Sequence, residues 1–316
     1  MSSYKIKETM FGSYKEYMIF NKETREKVQI VSDFGCNIRE LVLKSGIHIH
    51  RVIDGHQVPA RLKRKYSTCS FLSPFTGRIP KGQYTFKSMD YRLPINKPVE
   101  DNAIHGLIYN QRFLLKDKKI SENHASLTFE HEIIPGQHQG YPFHLKIQKI
   151  MTLYKGGLSI RTKVTNKGKN DAPFADGWHP YLMLKIPIDN LNIKLPAKEY
   201  YTNDKHKIID EKKKIKDTMY DIRKPTSLKD KNFDTCFTGL TYKNNFAQTI
   251  LKDDEKKLIL WQDKNYPFIQ LYTPDHRRSI AIEPLSAPSN SFNNGIGLLT
   301  LKSGKKFQGD IGIELL

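Results

Sequence analysis

The segment FHLKIQKIMTLYKGGLSIRTKV, residues 143–164, decides the fold class of this chain. Apolar side chains recur at alternate positions in Phe143–Ile147, Met151–Tyr154 and Leu158–Val164. A period of two places such side chains on one face of a β-strand, where they can be buried together. The KGG of residues 155–157 is a turn sequence, because glycine reaches backbone conformations that tight turns require. The segment therefore predicts a β-hairpin.

Strand-like runs continue along most of the chain. Phe246–Leu251 and Lys257–Trp261 flank the polar residues 252–255 and predict a second hairpin. The other candidate strands are Lys27–Val31, Ile38–Leu43, Ser126–Ile134, Leu191–Leu195, Phe268–Tyr272, Ser279–Ile282 and Asp310–Leu315. We find no convincing amphipathic helix of more than about three turns and no internal repeat. Many short strands separated by turns predict an all-β sandwich or barrel rather than parallel βαβ units.

We predict a single domain spanning residues 1–316. Lys198–Lys231 departs from the rest in composition, because it is crowded with lysine and acidic residues and has little apolar periodicity. It lacks the Gly-, Ser- and Pro-rich character of a flexible linker, and strands resume on both sides. We interpret it as a charged, exposed excursion between strands of one domain.

Composition and charge narrow the function classes. The 52 basic and 33 acidic residues give a net charge of +19, which would suit an anionic partner such as nucleic acid. Most of the basic residues are lysine and are spread along the chain, whereas nucleic-acid sites favour arginine. We therefore expect a solvated basic surface and no nucleic-acid partner.

The expected location is the cytoplasm, without membrane attachment. Cys36, Cys69 and Cys236 are odd in number and widely spaced, which argues against a disulfide framework. The first residues contain no apolar stretch typical of a signal peptide, and no apolar run approaches the roughly 18 residues of a membrane span.

Common catalytic motifs are absent from the sequence. The sequence lacks GxxxxGK[ST], GxGxxG, HExxH and GxSxG. It therefore does not support a phosphate-binding loop, a dinucleotide-binding site, a zincin metal site or a nucleophile elbow. His48 and His50 would lie on one face of a strand, as in some metal sites, but no carboxylate ligand follows at short range. We expect no metal there.

Four segments set a titratable residue among glycine, proline and aromatic residues. They are Ser73–Ile79, Asn102–Gly106, Asp176–Tyr181 and Ala281–Pro284. Glycine lets the backbone approach a ligand, and proline fixes the neighbouring geometry. Together the segments supply one arginine, two histidines and one glutamate, which suits acid–base chemistry on a neutral polyhydroxylated substrate.

These segments resemble the motifs of the aldose 1-epimerase (galactose mutarotase) family. Phe71–Phe86 is similar to its arginine motif, Asn102–Gly106 and Gly177–Tyr181 to its two histidine motifs, and Ile282–Asn293 to its terminal glutamate motif. Between the last two, Asp234–Phe237 and Phe268–Thr273 resemble its aspartate motif and its glutamine strand. The pieces occur in the family's order over about residues 30–315. The resemblance implies a large antiparallel β-sandwich, the galactose mutarotase-like supersandwich.

The resemblance also implies roles for six residues, and Tyr181 is added because it lies near His179 in the sequence. His179 would be the general acid and Glu283 the general base in opening and reclosing a sugar ring, which interconverts the α and β anomers of an aldohexose such as galactose or glucose. The residues expected to bind the sugar are Arg78, His105, Asp234, Gln270 and Tyr181. For Tyr181 and Trp178, stacking on the sugar and packing in the core are equally open. No metal or cofactor is required.

Two departures from the family pattern concern the substrate. Gly77 stands where an asparagine is frequent, so a hydrogen bond to the sugar is absent or supplied elsewhere, and Leu107 stands where a second glycine is common. The net charge and the upstream residues Arg61, Lys63 and Arg64 leave a hexose 6-phosphate 1-epimerase open as an alternative. A non-catalytic carbohydrate-binding protein of the same fold is a further alternative. The expected partner is a small-molecule sugar, and the expected state is a monomer or a homodimer.

Overall fold

The structure, a computed structural model, describes residues 2–64 and 68–316. In chain order, the elements up to residue 133 are β1 (Tyr4–Phe11), β2 (Tyr14–Asn21), β3 (Lys27–Val31), β4 (Asn37–Ser45), β5 (His48–Arg51), α1 (Arg61–Arg64), β6 (Phe71–Leu72), β7 (Arg78–Pro80), β8 (Gln83–Phe86), β9 (Met89–Arg92), a 3₁₀-helix (Pro98–Glu100), β10 (Asn102–Ile104), β11 (Leu114–Ile120) and β12 (His124–Ile133). Alternating sequence patterns thus become short strands, as the period of two predicts.

Short strands also make up most of the elements in the rest of the chain. The remaining elements are β13 (Leu145–Tyr154), β14 (Gly157–Asn166), β15 (Ala172–Phe174), β16 (Gly177–Trp178), β17 (Tyr181–Leu182), a second 3₁₀-helix (Ile188–Asn190), β18 (Asn192–Lys194), β19 (Glu199–Asn203), β20 (Ile209–Lys214), β21 (Thr226–Ser227), β22 (Asp234–Thr238), β23 (Ala247–Lys252), β24 (Lys257–Gln262), β25 (Phe268–Tyr272), β26 (Ile280–Leu285), α2 (Ser291–Asn294), β27 (Leu299–Leu301) and β28 (Lys306–Leu315). The described helices are all too short to cross a membrane.

Three large antiparallel sheets build the molecule. A five-stranded sheet has the order β1-β2-β3-β4-β5, and a nine-stranded sheet has the order β11-β12-β13-β14-β28-β24-β23-β18-β21. The eight-stranded sheet runs β20-β19-β22-β25-β26-β16-β6, with β17 also paired to β26. One apolar cluster joins all three, with members such as Ile30, Ile147 and Ile282. The predicted all-β antiparallel sandwich is confirmed.

The hairpin at residues 143–164 forms as the two central strands β13 and β14. Tyr154 pairs with Gly157, so Lys155 and Gly156 make the turn, and Gly156 has a φ of +79° that glycine adopts without strain. The interruption predicted between Ile147 and Met151 does not exist, because β13 runs through it without a break.

Lys149 lies in that interval on the buried face of β13. Its side chain is fully buried, and its Nζ donates hydrogen bonds to Asp176 Oδ1 at 2.9 Å and to Thr162 Oγ1 at 2.8 Å. The Nζ also lies 4.4 Å from the centre of the Phe71 ring. Burial lowers the pKa of Lys149, and the charge of Asp176 opposes that shift. A lysine takes a core position here because Asp176, in the segment between β15 and β16, neutralises it.

Lys198–Lys231 is more ordered than its composition indicates. It contains β19, β20 and β21, and β19 pairs with β22 inside the eight-stranded sheet. Apolar side chains dispersed among the charges anchor it, since Tyr200, Ile215 and Ile222 are buried. The charged face of β20 points outward at the edge of the sheet, which is how edge strands avoid pairing with other chains.

Replacing Lys149 by Met should lower the free energy of unfolding by about 3–5 kcal/mol, because Asp176 would keep a buried charge without its cation. Urea denaturation measures the change. The matched control is Lys146→Met on the same strand, which removes a partly exposed pair with Glu130 and should cost less than about 1 kcal/mol. Equal decreases in the free energy of unfolding of the two variants would show that the buried pair contributes no more to stability than the exposed one.

Candidate active site

The seven residues predicted for the site line one cavity of about 210 Å³. They are Arg78, His105, His179, Tyr181, Asp234, Gln270 and Glu283. The other residues that line it include Thr76, Gly77, Lys97, Glu100, Lys207, Tyr272 and Ser289. Segments separated by up to about two hundred residues in the sequence therefore meet at one place.

Strand register brings five of the lining side chains to one face of the eight-stranded sheet. Gln270 pairs with Glu283, Asp234 pairs with Tyr272, and Tyr181 pairs with Ala281, two residues before Glu283. Because side chains two residues apart share a face, this register places Tyr181, Glu283, Gln270, Tyr272 and Asp234 side by side.

His179 and Glu283 contact each other directly. The Nε2 of His179 lies 3.2 Å from Oε1 of Glu283, and both side chains are buried. The backbone of His179 is fixed by hydrogen bonds of 2.9 Å to residues 69 and 70, and its ring is stacked on Tyr181 with centroids 5.1 Å apart. An imidazole and a carboxyl group are thus held within hydrogen-bonding distance at one end of the cavity.

Burial favours the uncharged forms of this pair. It lowers the pKa of His179 well below the usual range, and the nearby His105 and Arg78 lower it further. Burial and the negative charge of Asp234 raise the pKa of Glu283 well above the usual range, while Arg78 opposes that rise. Both shifts favour a neutral imidazole beside a carboxylic acid, a pair that carries one exchangeable proton.

His105 lies beside His179 and is held as a neutral imidazole. It has a φ of +65°, and the neighbouring Gly106 has no room for a side chain because a Cβ would overlap the backbone of Ser73. The Nδ1–H of His105 donates to the carbonyl of Thr76 at 3.1 Å, which leaves Nε2 as an acceptor. Burial lowers the pKa of His105 to about 4. The ring meets His179 edge to face, with centroids 5.3 Å apart.

Polar contacts arrange the remaining predicted residues. Gln270 Nε2 donates to Asp234 Oδ1 at 2.9 Å, and Arg78 Nε donates to Glu100 Oε2 at 2.7 Å. Lys207 Nζ bridges the two sets, 3.8 Å from Asp234 Oδ2 and 4.0 Å from Glu100 Oε1. The rim of the cavity is therefore a network of alternating charges.

Sequence reasoning missed Glu100, Lys97, Lys207 and Ser289 as lining residues. Glu100 and Lys97 lie just before the Asn102–Gly106 segment, and Lys207 lies in the turn between β19 and β20, inside the charged excursion. Nothing in the sequence distinguishes a charged residue that lines a cavity from the other charged residues of a polar stretch. Proximity to a predicted motif was the available clue for Glu100 and Lys97.

The structure also shows where the remaining residues singled out in the sequence lie. Trp178 is fully buried and donates from Nε1 to the carbonyl of Cys69 at 3.1 Å, so it packs in the core, whereas Tyr181 lines the cavity. Leu107 packs against the main apolar cluster and does not line the cavity. His50 is buried and His48 is exposed, with ring centroids 6.5 Å apart. Within residues 2–64 and 68–316, no group of three or more His, Cys, Asp or Glu residues is arranged to hold a metal ion.

Comparison with known proteins identifies the family of this chain. The family model for aldose 1-epimerase matches residues 20–314. The chain belongs to the aldose 1-epimerase family. This membership supports an enzyme of the isomerase type. The uncharacterised protein YihR of Escherichia coli K12 is 30% identical over 238 residues, which cover 74% of each chain. Galactose mutarotase of Rattus norvegicus is 25% identical over 218 residues, covering 64% of this chain and 62% of the rat protein.

Solved structures share the fold across the whole chain. A galactose mutarotase-like protein from Clostridium acetobutylicum superposes with a TM-score of 0.88 at 18% identity and covers 99% of both chains. Galactose 1-epimerase from Lactobacillus acidophilus NCFM gives a TM-score of 0.84 at 18% identity, with 100% of this chain and 99% of that chain covered. The aldose 1-epimerase family thus retains this architecture while most of the sequence changes.

His105→Gln should flatten the dependence of stability on pH. The imidazole binds a proton near pH 6.5 when exposed and only near about pH 4 when folded. Between these values the unfolded state binds more protons, so the free energy of unfolding falls as pH decreases. Urea denaturation from pH 7 to pH 4 should show a steeper loss for the wild type than for the variant. His206→Gln, at an exposed position, should follow the wild type, and parallel curves for His105→Gln would contradict the buried, neutral assignment.

Proposed function

We propose that this protein is a mutarotase that interconverts the α and β anomers of a free aldohexose, galactose or glucose. The observation that carries the proposal is the 3.2 Å contact between His179 and Glu283 at the end of a polar cavity. Ring opening of a hemiacetal removes a proton from the anomeric hydroxyl and delivers one to the ring oxygen. An acid and a base that share one proton within one site fit that exchange.

The proton count of the pair allows the reaction to balance. A neutral imidazole with a carboxylic acid holds the same number of protons as an imidazolium with a carboxylate, and one proton shift interconverts them. In the reactive form Glu283 takes the proton from O1 and His179 gives its proton to O5, so that the C1–O5 bond breaks and the C1=O1 bond forms. Rotation about C1–C2 presents the other face of the aldehyde, and the reverse transfers close the opposite anomer.

The remaining cavity residues suit the hydroxyl groups of a sugar. His105 offers the lone pair of Nε2, Asp234 offers carboxylate oxygens, and Gln270 is positioned beside Asp234 by their hydrogen bond. Arg78 supplies donors next to Glu100, and Tyr181 supplies an aromatic face beside His179. Hydrogen-bonding groups of both kinds converge in the cavity, as recognition of a polyol requires.

A hexose 6-phosphate is the second candidate substrate, because Lys97 and Lys207 line the cavity. The upstream Arg61 and Lys63 are not among the lining residues, and the side chain of Arg64 lies outside the described part of the chain. The carboxylates of Glu100 and Asp234 face Lys207, and Glu100 also pairs with Arg78, so Lys97 is the one lining lysine or arginine without an ion pair among the described residues. This balance favours a neutral sugar.

Removing either member of the pair should abolish most of the activity. We expect Glu283→Gln and His179→Asn each to lower kcat by about 10²- to 10⁴-fold, because positioned acid–base groups contribute that much. Polarimetry on fresh α-galactose and α-glucose measures the exchange. His144 and Glu132 form a matched imidazole–carboxylate contact of 2.8 Å outside the cavity, so His144→Asn and Glu132→Gln are the controls. A wild type that binds sugar without accelerating exchange would instead be a carbohydrate-binding protein.

Glucose should be turned over with a higher kcat/KM than glucose 6-phosphate. The physical reason is the pairing of Lys207 with Glu100 and Asp234, which leaves the rim without a free cationic cluster. Polarimetry of both α-anomers at two salt concentrations separates the candidates, because binding of a phosphate would weaken as salt increases. A preference for the phosphate that Lys207→Met removes would establish the alternative.

A further inference from the structure

Ser289 lines the cavity six residues beyond Glu283, in the loop between β26 and α2. Its side chain is half-buried, and the loop runs against the segment that carries Arg78. None of the roles described above uses this hydroxyl group.

The position of Ser289 explains why residue 77 is a glycine. A Cβ atom on Gly77 would overlap Oγ of Ser289 and lie 2.8 Å from its Cα. Gly77 does not have a left-handed backbone, so space rather than conformation excludes a side chain. The hydroxyl of Ser289 thus occupies the place where a side chain of residue 77 would begin.

Three hydrogen bonds hold the Ser289 loop against the arginine strand. Thr76 Oγ1 donates to the carbonyl of Ala287 at 2.5 Å, and the N–H of Asn290 donates to the carbonyl of Arg78 at 2.7 Å. The N–H of Arg78 donates to Oγ of Ser289 at 3.3 Å. Ser289 is therefore an acceptor toward the protein, and its hydroxyl proton has no acceptor among the described residues.

We propose that Ser289 is a sugar-binding residue that supplies, from the β26–α2 loop, the polar group that Gly77 lacks. Its hydroxyl donates to an oxygen of a sugar hydroxyl group while accepting from the Arg78 N–H. The inference rests on the proposed action on an aldohexose. Since Ser289 is not paired with His179 or Glu283, its hydrogen bond stabilises bound substrate and transition state alike. Its loss should therefore appear in KM rather than in kcat.

The first test is Ser289→Ala in the full chain. We expect KM for the preferred hexose to rise about two- to tenfold with kcat unchanged, as for the loss of one hydrogen bond. The matched control is Ser303→Ala, which removes an exposed hydroxyl bonded to the carbonyl of Gly168 away from the cavity. An unchanged KM in Ser289→Ala overturns the proposal.

A series of deoxy sugars identifies the partner oxygen. The sugar that lacks the partner hydroxyl should bind the wild type about as weakly as the full sugar binds Ser289→Ala, and the variant should not weaken it further. If the losses add for every deoxy sugar, Ser289 does not contact the substrate. Gly77→Ala provides an independent check, since its methyl group displaces Ser289 and should raise KM at least as much. A wild-type KM in Gly77→Ala contradicts the spatial argument.

Equilibrium binding separates this proposal from the proposed function. Ligand-observed NMR with galactose and glucose measures affinity whether or not the enzyme accelerates anomer exchange. Weaker binding to Ser289→Ala supports the role of Ser289 even if the wild type proves inactive. Equal binding to variant and wild type overturns it even if the wild type is an active mutarotase.

Discussion

A fully buried ion pair between Lys149 and Asp176 holds together the segments that carry the candidate catalytic residues. Asp176 accepts hydrogen bonds from Lys149, from Ser73 Oγ and from the hydroxyl of Tyr266, and its backbone N–H donates to Ser286 Oγ at 2.8 Å. Ser73 leads to Arg78, Asp176 itself leads to His179, and Ser286 follows Glu283. Asp176 therefore fixes three segments relative to one another, through its carboxylate and its backbone N–H together. A buried charge is tolerated only when it is fully paired, as this carboxylate is.

Burial requires the charges of Lys149 and Asp176 to be paired, and it also shifts the pKa values of the residues in the site. Desolvation lowers the pKa of His105 and of His179, and desolvation together with the charge of Asp234 raises the pKa of Glu283. A net charge on this buried pair would be energetically costly. One proton shared across the 3.2 Å contact creates no net charge. The site can thus shift a proton without creating net charge, which suits a reaction that neither consumes nor releases protons.

The lining residues outside the strands are less constrained than those on the paired strands. Asp234, Gln270 and Glu283 lie on β22, β25 and β26, whose pairing fixes their positions relative to one another. Lys207 and Glu100 come from a turn and from a 3₁₀-helix, which tolerate sequence change more readily than paired strands. Sequence change at these rim positions therefore disturbs the paired strands of the site least.

The sequence by itself determined the fold class and the central hairpin, because alternation is a local signal. Its Gly- and Pro-rich segments nominated Arg78, His105, His179 and Glu283, and the family resemblance added Asp234 and Gln270. It could not determine that Lys149 is buried, that Trp178 packs in the core while Tyr181 lines the cavity, or that Lys207 reaches the rim from the charged excursion. These outcomes depend on partners more than twenty residues away along the chain. Gly77 shows the difference most plainly: its identity is readable in the sequence, but the reason for it, the hydroxyl of Ser289, exists only where two distant loops meet.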